Sequence, residues 1–178
     1  MVVRSDDRVL VDAAGAGDLD AFVVLVRRHQ GSVYRVALRL VGSAADAEDV
    51  AQETFVQAWR SLGGFRGESA LSTWLYRIVT NRALDLVAKR RPTAQFEDSE
   101  GEQDLDPATI VADNEQTARV MRAVGALPLE QRAALVLRDF EGLTYDQIGE
   151  VLGISLAAVK GRIHRGRLAV IVTTREGS

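Results

Sequence analysis

Apolar residues recur at helical spacing in the first half of the chain. Phe22, Leu25, Val26, His29, Val33, Val36, Ala37 and Leu40 form one stripe, the mark of an amphipathic helix. Asp18 suits its N-cap and Gly42 its end. Ser43 opens a second helix, with Asp46 three residues on in a capping-box arrangement. Its stripe is Ala47, Val50, Ala51, Thr54, Phe55, Ala58 and Leu62, and Gly63 and Gly64 stop it. After the loop Phe65-Arg66-Gly67-Glu68-Ser69, a third helix is predicted from about Leu71 to Arg91. Pro92 closes it, because the residue before a proline disfavours helix.

Residues 92–116 lose this periodicity and turn acidic, with scattered Gly, Ser and Pro. They read as a flexible linker. Helical spacing resumes near Thr117. Pro128 is placed at a first helical position, leading a helix from Leu129 to Phe140 that Gly142 ends. Thr144 and Gln147 make another capping box, Gly153 ends the short helix that follows, and Ser155 caps a final helix that turns Val159, Ile163 and Val170 inward. No segment has strand character. The expected fold class is all-α: two small helical domains joined by an acidic flexible linker. The boundaries are a segment 1–18, a first domain 19–91, the linker 92–116, a second domain 117–172 and a tail 173–178.

Charge sharpens this division. The net charge is -3 over 178 residues. Residues 92–118 carry eight carboxylates and no cation, whereas 20–91 and 119–178 are net +4 and +3. Two mildly basic blocks flank an acidic one. There is no cysteine, which removes disulfides, thiolate metal sites and Cys nucleophiles and fits a reducing cytoplasm. Two histidines, His29 and His164, are too few for a His-rich metal site. No cofactor is called for. No run approaches the roughly 18–20 apolar residues of a membrane span, and Asp6, Asp7 and Asp12 break any signal peptide. The chain is expected to be cytoplasmic, with no membrane contact of its own.

The stretch LTYDQIGEVLGISLAAVKGRIHRGRL, Leu143 to Leu168, carries chemistry. Two capped helices meet at a very short turn, Gly153-Ile154, with the small Gly149 where they would cross. Ile148, Leu152, Ile154, Val159 and Ile163 supply one shared core. This is a helix-turn-helix pattern. Its second helix holds Lys160, Arg162, His164, Arg165 and Arg167 and no acid from Ser155 to Val172. A helix in the DNA major groove needs such cations for phosphates and long donors for guanine edges. Arginines on an exposed helix are equally often only solvated; the capped turn geometry decides for DNA. Lys160, Arg162, His164 and Arg165 are the candidates for bases, and Arg167 for phosphate or solvent. Gly161 either permits close backbone approach or is drift.

The block LPLEQRAALVLRDFEGLTYDQIGEVLGISLAAVKGRIHRGRL resembles region 4 of the extracytoplasmic-function (ECF) sigma factors of the sigma-70 family. DAFVVLVRRHQGSVYRVALRLVG, AEDVAQETFVQAWRSLGGFRG and STWLYRIVTNRALDLVAKRR resemble their region 2. Together these cover about residues 19–91 and 117–170, in the family's order. The resemblance implies a transcription-initiation subunit, not an enzyme, that binds core RNA polymerase and promoter DNA. DNA would be double-stranded at the -35 element and single-stranded at the -10 element. It implies a -35 surface of Ser155, Lys160, Arg162, His164, Arg165 and Arg167. It implies polymerase binding through Asp49, Gln52, Glu53 and Phe55, where Phe55 is alternatively core. It implies a -10 surface of Phe65, Arg66, Ser69, Thr73, Trp74, Asn81, Arg82, Lys89, Arg90 and Arg91. Aromatic stacking and Arg contacts would hold unwound bases there, and Asn81 would either read a base edge or be structural only. Trp74, one turn before Ile78, reads as core ahead of base-stacking, and Lys89, Arg90 and Arg91 read as phosphate contacts. The linker is either an ordinary tether or a segment suited to a positively lined channel. Relatives are commonly held by an anti-sigma partner, for which no residue here speaks. Gly161 and Ala158 depart from the family's frequent Ser and Thr, so -35 preference cannot be copied from relatives.

Two rival readings remain. A stand-alone helix-turn-helix regulator would explain residues 143–170 but not 19–91. A hydrolase using Asp46, Glu48 and Asp49 lacks a nearby His, Cys or phosphate loop.

Overall fold

The computed structural model describes residues 3–90 and 114–176, with side chains from Asp7 onward. All regular elements among them are helical. They are α1 (Val3–Gly15), α2 (Leu19–Val41), α3 (Ala44–Ser61) with a 3-10 turn Leu62–Gly64, α4 (Leu71–Arg90), α5 (Glu115–Gly125), α6 (Leu129–Leu135) continued by a π-helical turn Val136–Phe140, α7 (Tyr145–Leu152) and α8 (Leu156–Glu176). Most of the acidic linker, and Arg91, lie outside the described residues.

The caps act where the sequence places them. The Asp18 side chain accepts from the Ala21 amide at 3.2 Å, and Gly42 closes α2 at φ 77°. Ser43 Oγ accepts from the Asp46 amide at 3.4 Å. The second half of the expected capping box is replaced: the Asp46 carboxylate turns to Arg90, whose Nη2 donates to Oδ1 at 2.9 Å. That bond closes α3 onto the end of α4, and it holds the Asp46 carboxyl below the usual carboxylate range. Leu25, Val33, Val36 and Leu40 of α2, Ala47 and Val50 of α3, and Leu75 and Val79 of α4 are buried between the three helices. Each Val or Leu so buried contributes roughly 1.5–3 kcal/mol.

Four features differ from the sequence expectation. The segment 1–18 contains α1, which buries Val11 and Ala14 and is tied down by Asp7, bonded at 3.0 Å to both Arg28 and His29. The second half begins at Glu115 rather than Thr117, because Asn114 caps α5 by accepting from the Thr117 amide at 2.8 Å. Pro128 is the N-cap of α6 rather than its first residue, and the predicted helix Leu129–Phe140 becomes π-helical from Val136. Helix α8 continues through Glu176, so most of the expected tail is helical.

The π turn matters for what joins the two halves. The Glu141 amide bonds to the Val136 carbonyl at 3.2 Å. Phe140 and Glu141, at the end of this turn, face the first half. The Arg39 guanidinium lies 4.4 Å from the centre of the Phe140 ring. The Glu141 side chain is only 5% exposed. Its Oε2 accepts from the Tyr76 hydroxyl at 2.8 Å, and Oε1 lies 3.5 Å from Arg39 and 3.8 Å from Arg35. Arg132 of α6 is buried and donates at 2.9 Å to the Leu40 carbonyl in the last turn of α2, and at 3.0 Å to the Leu127 carbonyl. A cation there also complements the negative end of the α2 dipole. Helix α4, wedged between α2, α3 and α7, buries nine of its 20 residues. Both halves thus share one continuous buried cluster.

Burial, and then the bond to Glu141, push the Tyr76 hydroxyl up to about 12 from its ordinary 10. The neutral phenol is the form the fold prefers. Its contribution is therefore fully present below pH 10 and disappears as pH rises to about 12. Denaturant titrations across that window will show a steeper loss of stability for the native chain than for Tyr76→Phe.

Candidate nucleic-acid interface

The helix-turn-helix forms as α7, the turn at Gly153 (φ 65°) and α8. The Thr144–Gln147 capping box is complete, at 2.9 and 3.2 Å. Ser155 Oγ accepts from the Ala158 amide at 3.2 Å and starts α8. Ile148, Val159 and Ile163 are at most 1% exposed, with Leu152 and Ile154 packed around them. Gly149 lies at the crossing, where a Cβ would stand 3.1 Å from the Ile154 carbonyl oxygen.

With Val159, Ile163 and Gly166 turned inward, the opposite face of α8 presents Ala157, Lys160, His164 and Arg165. The structure divides the six expected -35 residues. Lys160, His164 and Arg165 are exposed with no hydrogen bond or ion pair to another described residue. Arg162 flanks this face, half-buried, 3.5 Å from Glu130. Arg167 is bound twice to Asp139, at 3.0 and 2.5 Å, which raises its pKa. These two arginines are engaged in fixing α8 to the rest of the second half. Gly161 has a local explanation: a Cβ there would stand 3.1 Å from Arg165 Nη1, so its absence lets that guanidinium lie along the helix.

The expected -10 residues fall into three places. Phe65, Arg66, Ser69 and Thr73 line an open cavity of about 760 Å³, together with Asp7, Asp12 and His29 of the first half and Gln147 and Glu150 of α7. Thr73 is only 5% exposed, so it forms part of the cavity wall rather than an open surface. Trp74, Asn81 and Arg82 line a separate groove with Gln57 and Asp85. Trp74 packs against the core and tilts onto Phe65, with ring centres 5.1 Å apart, so the loop aromatic and the helix aromatic support one another. Asn81 is exposed. Arg82 is held by Gln57 at 3.0 Å and Glu53 at 3.1 Å. Lys89 and Arg90 stand at the end of α4, exposed, with Arg90 on Asp46.

Asp49, Gln52 and Glu53 share an exposed face of α3, whereas Phe55 is half-buried against the core. That face continues into exposed Val56 and Trp59; the Trp59 ring lies 4.9 Å from Phe22. The apolar extension was missed because Trp59 belongs to no helical stripe. Asp7, Tyr76, Arg132 and Glu141 were missed because nothing local marks their partners. Among the described residues no group of acids and histidines could hold a metal, and no helix is long and apolar enough to cross a membrane.

Replacing Gly149 with Ala presses a methyl group on the Ile154 carbonyl, a backbone atom that cannot swing aside. Stability should fall by about 1–3 kcal/mol, read as a lower urea midpoint with unchanged m-value.

Two family models match the chain: sigma-70 region 2 over residues 25–93 and sigma-70 region 4 over residues 117–170. The RNA polymerase sigma-H factor of Pseudomonas aeruginosa is 40% identical, covering 96% of this chain and 94% of that protein. The ECF RNA polymerase sigma-E factor of Escherichia coli K12 is 37% identical over 92% of each. Among solved structures, CnrH in complex with the cytosolic domain of CnrY superposes with a TM-score of 0.76 and 31% identity, over 97% of this chain and 99% of that one.

Proposed function

The chain belongs to the ECF sigma factors of the sigma-70 family and directs promoter-specific transcription initiation, and from that premise we propose how its residues divide the work. The N-terminal end of α8 enters the major groove of the -35 element. Lys160, His164 and Arg165 face the bases and nearby phosphates, with the Ser155 cap at the helix N-terminus, where positive dipole and free amides favour phosphate. Arg162 and Arg167 hold the helix in place and act on DNA indirectly. The observation that carries this reading is the separation of α8 cations into ion-paired and unpaired sets, with the unpaired set on the outward face.

Region 2 supplies the other two surfaces. Phe65, Arg66, Ser69 and Thr73 surround the space for an unstacked -10 base, and Asn81 with the Trp74 groove follows the strand. Lys89, Arg90 and Arg91 meet phosphates. Asp49, Gln52 and Glu53, extended by Val56 and Trp59, dock core polymerase, and Phe55 supports that face from within. The chain makes and breaks no bond; binding energy favours the melted promoter. It works in the cytoplasm beside the polymerase. CnrH carries the cytosolic domain of CnrY, and an anti-sigma partner is part of this reading.

Run-off transcription with core polymerase tests it. Specific transcripts should appear only with the factor present. Arg165→Ala should weaken -35 duplex binding roughly tenfold or more, the scale of a lost base contact, while polymerase affinity stays unchanged; equal duplex affinity removes Arg165 from the readout. Replacing Asp49 and Gln52 together by Ala should lower core affinity about tenfold without altering duplex binding. An unchanged core affinity moves the docking surface elsewhere.

A further inference from the structure

Glu141 is the most deeply enclosed carboxylate among the ion pairs between the two halves, and each of its named partners comes from region 2. Arg35 and Arg39 lie one turn apart on α2, and Tyr76 faces them from α4. Burial lowers the pKa of the Arg39 guanidinium, an effect that Glu141 opposes and Arg35 adds to. Two like charges held this close on one helix repel unless an anion sits between them. We propose that Arg35, Arg39 and Tyr76 form a carboxylate-binding site on region 2, that Glu141 fills it in cis, and that this contact is a latch holding regions 2 and 4 closed until the factor engages polymerase and promoter.

The closed form is unsuited to the promoter for two reasons. Helix α7 supplies Gln147 and Glu150 to the cavity lined by Phe65 and Ser69, placing a carboxylate where a DNA strand would enter. Reach is the second reason. Elements centred near -10 and -35 are about 25 base pairs apart, roughly 85 Å at 3.4 Å per base pair. A compact chain of 178 residues has a radius of gyration of roughly 16 Å. The regions must separate to occupy both elements. This half of the inference rests on the promoter reading above; the latch itself does not.

The latch also explains an otherwise costly arrangement. Glu141 is buried while Arg39 and Arg35 keep part of their surface in water, so the contact gives little net stability, but removing the arginines leaves the carboxylate stranded. Such a contact is a better switch than glue. An incoming acidic group that satisfies Arg35 and Arg39 in place of Glu141 frees region 4 at small net cost.

The absence of cysteine makes the test direct. Cysteines introduced at exposed Glu68 of the region 2 loop and exposed Glu150 of α7, which line the same cavity, take a fluorophore pair, and the distance distribution is measured in the free, full-length protein. The native chain should give one short distance. Glu141→Ala and Arg39→Ala should shift it to a broad, longer distribution, with Tyr76→Phe shifting it less. Core polymerase should then bind Glu141→Ala about tenfold more tightly, because the competent open state is no longer the minor one. A short distance retained in both Glu141→Ala and Arg39→Ala overturns the latch, as does a long distance in the native chain. If the charge variants lose helical circular dichroism, Tyr76→Phe decides, since it removes only the hydroxyl. Opening without any gain in polymerase affinity overturns its role in engagement. The distance arm contains neither DNA nor polymerase, so it stands or falls apart from the promoter reading.

Discussion

A carboxylate taken out of water must be given cations and donors, and Glu141 finds all of its named ones on the other half of the chain. That requirement governs how the two regions meet. It fixes the face that α2 turns to the π turn and orients Arg39 against the Phe140 ring. In the same seam Arg132 meets the end of α2, and α7 packs against α4. Helix α4 consequently has no simple amphipathic stripe. Tyr76 and Thr80 are buried along with Leu75 and Val79, because helices cover it on more than one side.

Within region 4 the governing constraint is steric. A helix-turn-helix requires two backbones to approach closely, and Gly149 is where they do. Once that crossing is fixed, the inward residues Val159, Ile163 and Gly166 set the rotation of α8, and the outward set follows from the 3.6-residue period. The two arginines at the flanks meet Glu130 and Asp139. They hold the helix against the groups behind it, leaving Lys160, His164 and Arg165 on the solvent side. Lys160 and Arg167 are seven residues apart and share a face of the helix, so Arg167 is tied by the carboxylate of Asp139 beside it and not by rotation.

Region 2 uses aromatic packing in a comparable way. The tilted Phe65–Trp74 pair anchors the loop that follows the 3-10 turn to the first turn of α4. The neighbouring Arg66, Gly67 and Glu68 are exposed. A loop fixed at its root and exposed at its tip suits capture of a flexible strand, because little of its own order is lost on binding. Trp74 packs against the core and also lines a groove beside Asn81.

The sequence by itself determined what depends on neighbours within one or two turns. The caps at Asp18, Ser43, Thr144 and Ser155, the left-handed stops at Gly42 and Gly153, the helical stripes and the helix-turn-helix are all of this kind. So was the family, because its motifs are local runs in a fixed order. Helix α1 escaped notice because acids interrupt its stripe, of which Val11 and Ala14 are buried among the described residues, and the π turn because no local residue pattern marks the bond from the Glu141 amide to the Val136 carbonyl. What only the tertiary structure decided are pairings between distant positions: Asp46 with Arg90 at a separation of 44 residues, Tyr76 with Glu141 at 65, Arg132 with Leu40 at 92 and Arg39 with Glu141 at 102. Every arginine reads alike in one dimension. Which are tied is set by where the packed helices place Asp46, Glu53, Glu130, Asp139 and Glu141, and that placement is a property of the packed chain.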